Sequence, residues 1–105
     1  GKSGTAFDLG CSLGASSLAL LSQCDSPQVR VIGVDSSAAM IAQAKRTIDD
    51  PRISFCCEDL LTRDVSGARV VMLNFVVQFL GPEHRLSLLT RVAQQMNPDG
   101  LLILS

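Results

Sequence analysis

The sequence carries no excess of charge, no long apolar run, no C-x-x-C pair and only one histidine, and each absence removes a class of function. Nine basic and ten acidic residues are scattered singly, so no face offers the dense positive field that nucleic acid or an anionic membrane requires. Strong direct binding of nucleic acid by this segment is therefore not expected. No apolar stretch approaches the ~20 residues that cross a bilayer. The start, Gly1-Lys2-Ser3-Gly4, runs into an apolar strand without a signal-peptide core. The expectation is a soluble, cytoplasmic protein without membrane contact. Cys11, Cys24, Cys56 and Cys57 lack zinc-site spacing and His84 has no second ligand nearby, so no metal is expected and the thiols read as buried and reduced.

What the sequence has is a repeated switch between β-rich runs and helical spacing, the pattern of β-α-β units and a parallel sheet. Five strands are expected, at Thr5–Leu9, Val29–Val34, Arg52–Cys57, Ala68–Phe75 and Leu101–Leu104. Between them Met40, Ile41, Ala44 and Ile48 repeat at helical spacing after a Ser36-Ser37 cap, and Leu86, Leu89, Val92, Ala93 and Met96 repeat after Gly81-Pro82. A further helix is expected over about residues 14–23, and residues 60–67 read as a loop or a short turn of helix. Asn97-Pro98-Asp99-Gly100 stops the last helix and turns the chain into the fifth strand. That strand is apolar on both faces, as interior strands of parallel sheets are, so the 1–105 segment reads as one partial domain, truncated after the fifth strand.

The chemistry is expected in the loop after the first strand, Phe7-Asp8-Leu9-Gly10-Cys11-Ser12-Leu13-Gly14, because open α/β sheets bind ligands beyond the carboxyl ends of their strands. Gly10 and Gly14 allow close backbone approach, or serve only a tight turn. Ser12 can cap the helix or donate to a ligand oxygen. A pyrophosphate placed there would be repelled by Asp8. S-adenosylmethionine, carrying an ammonium and a sulfonium, would be attracted by it directly or through water. The G-x-G-x-x-G spacing is absent, and the Walker-like Gly1-Lys2-Ser3 is followed by a strand where a helix is required. Asp35, ending the second strand, can accept both hydroxyls of a ribose or act as an acidic helix cap beside Ser36. Asp59 can accept from an adenine amino group while Leu60 packs on the ring, or be a solvated loop carboxylate.

With Asp8-Leu9-Gly10-Cys11-Ser12-Leu13-Gly14, Asp35, Asp59 and Asn97-Pro98-Asp99-Gly100 in these positions, the chain resembles the class I S-adenosylmethionine-dependent methyltransferase fold over nearly its whole length. That resemblance implies a Rossmann-like parallel sheet with helices on both faces. Ser12 stands where that family has a glycine. Together with Leu73-Asn74-Phe75 and Gln78-Phe79-Leu80, this resembles a narrower group, the carboxy-S-adenosyl-L-methionine synthases. The resemblance implies that S-adenosylmethionine receives, through an ylide, the carboxyl group lost by prephenate, and that the carboxy-S-adenosylmethionine formed serves tRNA wobble-uridine modification. It also implies a homodimer. By position, Gly10, Cys11 and Ser12 would line the methionine portion, Asp35 and Ser36 the ribose, Asp59 and Leu60 the adenine, and Asn74 the reacting end. A neutral amide at Asn74 can donate to an added carboxylate that an acid would repel, or the residue ends its strand by bonding backbone. Ordinary methyl transfer to a small molecule or tRNA, and a catalytically inert binding module, are the alternatives; no side chain stands out as a catalytic base.

Overall fold

The structure, a computed structural model, describes residues 4–24, 26–73 and 80–104. Its elements run β1 (Gly4–Leu9), α1 (Ala15–Leu21), β2 (Val29–Asp35), α2 (Ala38–Thr47), β3 (Ile53–Cys57), β4 (Val70–Leu73), α3 (Pro82–Gln95) and β5 (Leu101–Leu104). All strand pairs are parallel and the sheet order is β3-β2-β1-β4-β5. The expected strands are all present, with β4 described only to Leu73. Helix α1 is shorter than the expected 14–23 span, because Ser22 and Gln23 already turn the chain toward β2.

Two periodicities place the layers. Along β1, Phe7 and Leu9 point to one face and Ala6 and Asp8 to the other. The first pair joins Val34, Val71 and Leu73 against Leu88 and Val92 of α3. On the opposite face Ala6 and Val31 meet Leu21 of α1, while Phe55 meets Ile41 and Ala44 of α2. Helices thus cover both faces, as the right-handed crossover rule requires when the strand order runs outward in both directions from β1. Burial of these Val, Leu and Ile side chains, at about 1.5–3 kcal/mol each, is the main favourable term.

The helical stripes differ from the expectation in two places. In α2 the buried positions are Ile41 and Ala44, and Met40 is 41% exposed, turned away from the sheet. In α3 the core-facing pair is Leu88 and Val92, one turn apart, which leaves Leu86 exposed. Ser37 is the N-cap of α2, its hydroxyl accepting from the Met40 N–H at 3.3 Å; Ser36 takes no part. Strand β5, apolar on both faces as expected, lies at one edge of the sheet, with Leu101 and Leu104 exposed. No helix among the described residues is long and apolar enough to cross a membrane.

Candidate functional site

The outward strand order makes a switch point at the carboxyl ends of β1 and β4, where neighbouring crossovers leave in opposite directions. Into it runs the loop from Gly10 to Gly14. Three of its residues have positive φ: Gly10 at 81°, Ser12 at 52° and Gly14 at 92°. Gly14 is the N-cap of α1 and makes no side-chain cap, so Ser12 does not cap that helix. The Ser12 hydroxyl instead reaches the Met40 sulfur at 3.8 Å.

The backbone N–H groups of the loop turn inward. Those of Gly10 and Cys11 both donate to the Val34 carbonyl, at 2.7 and 3.0 Å, and that of Gly14 donates to the Cys11 carbonyl at 2.9 Å. The Ser12 N–H donates to Asp35 Oδ2 at 2.9 Å. A cradle for pyrophosphate needs such groups pointing at the ligand; here four of them already have partners inside the protein. With carboxylates nearby, the loop suits a cationic or neutral ligand.

Asp35 ties the edge together. Its Oδ1 accepts from the Ser37 N–H at 2.9 Å while Oδ2 holds Ser12, so one carboxylate fixes both the loop after β1 and the start of α2. Each oxygen retains a lone pair for a further donor such as a ribose hydroxyl. Ser36 beside it is exposed, and its carbonyl accepts from the Cys57 thiol at 3.5 Å.

Asp8 is placed differently from the sequence expectation of a carboxylate facing the ligand. It is fully buried under α1, its Oδ2 accepting from the Ser17 hydroxyl at 2.7 Å, while Oδ1 has no hydrogen-bond partner among the described residues. Desolvation is the main cause that raises its pKa above the ordinary value, with the Asp35 charge adding to it against the Ser17 bonds. Cys11 also turns its side chain inward, to Ile41, Ala44 and Phe55, and burial pushes its thiol up to about 12. Only the Cys11 backbone is left to face a ligand.

Beyond β3, Asp59 is exposed and its Oδ1 accepts from the Leu61 N–H at 2.9 Å. Leu60 packs toward the α3 side of the sheet, and its carbonyl accepts from Arg91 at 2.8 Å. Arg91 also bonds the Arg63 carbonyl, which pins the expected loop over 60–67 to α3. Asn74 lies outside the described residues. The structure therefore brings Gly10, Ser12, Gly14, Asp35 and Ser36 together, and turns the Asp8 and Cys11 side chains beneath them. Sequence reasoning missed Ser17, which sits one turn beyond Gly14 on the sheet-facing side of α1, and Met40, five residues past Asp35.

A family model described as a methyltransferase domain matches residues 6–100. The chain is 44% identical over 103 residues to a carboxy-S-adenosyl-L-methionine synthase of Marinobacter nauticus, covering 94% of this chain and 41% of that protein. It thus spans about two fifths of the length of the curated relatives it matches. Among solved structures, PKMT2 of Rickettsia typhi in complex with AdoHcy superimposes with a TM-score of 0.83 at 20% identity, over 97% of this chain and 20% of that one. LepI in complex with SAM gives 0.83 at 18% identity, over 97% and 26%. These two likenesses concern the fold.

Proposed function

The chain belongs to the methyltransferase-domain family, and on that premise we propose that residues 1–105 form the S-adenosylmethionine-binding core of a carboxy-S-adenosyl-L-methionine synthase. The observation that carries the cofactor half of this reading is the loop from Gly10 to Gly14, whose amides close on the protein itself beside Asp35. That donor set fits a sulfonium nucleoside and not a pyrophosphate. The likeness to the Marinobacter nauticus protein supports the carboxyl reaction.

In this reading S-adenosylmethionine, or its carboxylated form, supplies an activated carbon beside a sulfonium. The remaining work belongs to the protein. Gly10 and Ser12 let the backbone pass along the methionine portion, Gly14 opens the helix behind it, and Asp35 with Ser36 accepts from the ribose hydroxyls. Asp59 takes the adenine amino group beside Leu60. The Asn74 amide donates to the new carboxylate. Held in one geometry with prephenate, the reactants gain up to ~7–11 kcal/mol from alignment alone. The protein acts in the cytoplasm as a homodimer, and its product feeds tRNA wobble-uridine modification.

The test is to incubate the full-length protein with S-adenosylmethionine and prephenate and to analyse the products by mass spectrometry. Equal amounts of carboxylated S-adenosylmethionine and phenylpyruvate are expected, and none of either when one substrate is left out. The methyltransferase description of the family favours a second reading, methyl transfer to a small molecule or tRNA. Formation of S-adenosylhomocysteine with a methyl acceptor, and no carboxylated product, would establish it instead.

A further inference from the structure

Buried carboxylates in folded proteins have partners, because an unmatched polar atom forfeits its hydration. Asp8 is half an exception: Oδ2 has the Ser17 hydroxyl and the Ser17 backbone amide also favours the carboxylate, while Oδ1, equally buried, has no hydrogen-bond partner among the described residues. In the sheet Gly33 of β2 and Met72 of β4 stand opposite it. Helix α1 contributes Ser17, the Asp35 carboxylate adds negative charge from the end of β2, and the Cys11 thiol is un-ionised at neutral pH. No salt bridge among the described residues reaches Asp8. A proton on Oδ1 removes the cost of burying a charge; a cation settling over the loop removes the same cost by another route.

We propose that Asp8 is a proton-linked counter-ion, which holds its proton more readily in the free protein than when a cationic nucleoside occupies the loop above it, so that binding releases the proton to solvent. This rests on the reading of the loop as a sulfonium-nucleoside site and adds a regulation to it. The ligand need not touch the carboxylate, since opposite charges a few ångströms apart interact strongly through weakly polar protein. The burial that raises the Asp8 pKa in the free state is what gives the ligand a proton to displace.

The consequence is pH-dependent affinity in a window above the ordinary aspartate value of 3.8. The full-length protein is titrated calorimetrically with S-adenosylmethionine between about pH 4 and pH 7, where the ligand's α-amino group, with an ordinary pKa of ~7.7–8.0, stays charged. Buffers of different ionisation enthalpy report the protons released. Affinity should tighten with pH by up to about tenfold per unit before levelling, with up to one proton released per ligand. The uncharged 5′-methylthioadenosine should bind with a flat profile. Asp8→Asn should flatten the S-adenosylmethionine profile and abolish proton release. Ser17→Ala, which removes the hydroxyl bond favouring the ionised form and leaves the backbone one, should shift the profile to higher pH, and serves where the asparagine variant does not fold. Binding of S-adenosylmethionine with a flat profile and no proton release would overturn this inference alone. No heat from either ligand at any pH would overturn the cofactor reading with it.

Discussion

Replacing Gly14 by alanine tests the loop geometry through two separable costs. The first is conformational: at φ 92° a residue with a Cβ loses roughly 1–2 kcal/mol relative to glycine. The smaller entropy of the unfolded alanine chain returns ~0.4–1 kcal/mol of this. The second is steric, because the added Cβ would lie 2.6 Å from Ile48 Cδ1 and 3.0 Å from Phe55 Cζ. The Ile48 methyl is the end of a flexible side chain and can swing away. The Phe55 ring cannot yield toward Gly33, where a Cβ would itself come within 2.8 Å of the ring. Overpacking of this kind costs ~1–3 kcal/mol, and with Ile48 able to move the lower part of that range applies. Gly67 is the matched control, with φ 75° and nothing within 4 Å of an added Cβ. In urea denaturation of the full-length protein, Gly67→Ala should cost about 1 kcal/mol or less and Gly14→Ala about 1–2 kcal/mol more. Equal losses would refute the packing argument.

Ser12 holds a left-handed conformation that suits glycine, so Ser12→Gly should stabilise the fold by about 0.5–1 kcal/mol in denaturation experiments, whereas Ser12→Ala should not; a gain from alanine would mean the hydroxyl, not the backbone, is at fault. Burial of Cys11 and its thiol pKa of about 12 predict that maleimide at pH 8 labels the exposed Cys57 and leaves Cys11 unmodified in the folded protein, as peptide mass mapping would show. The raised Asp8 pKa contributes stability that is fully present below the ordinary value of 3.8 and is lost as pH rises through the higher folded value. Without ligand, wild type should therefore lose stability relative to Asp8→Asn as pH rises through that window, and a difference that stays constant with pH would contradict it.

The sheet was legible because each buried strand is a compact apolar run, and the turn at Asn97-Pro98-Asp99-Gly100 marks where α3 must end. The site was legible where the backbone carries it: glycines at a strand-to-helix turn and an acid closing β2 fix where a loop can meet a ligand. Side-chain direction was harder. Met40 fits a helical stripe with Ile41 and Ala44, yet its place in the first turn of α2 brings it to Ser12 instead of the sheet. Leu86 fits an apolar repeat, but the face that meets Phe7 and Leu73 is set by Leu88 and Val92. Asp8 reads as a ligand group because it is charged and ends a strand. Strand alternation with Phe7 and Leu9 turns it under α1 instead, and only the packed helix reveals Ser17 as its partner.

The most direct measurement of the central claim is mass spectrometry of the small molecules released from the full-length protein after purification from cells. An adenosyl-sulfonium heavier than S-adenosylmethionine by one carboxyl group is the result expected of a carboxy-S-adenosyl-L-methionine synthase. Release of no adenosyl-sulfonium, with no uptake of added S-adenosylmethionine, would contradict the account at its root.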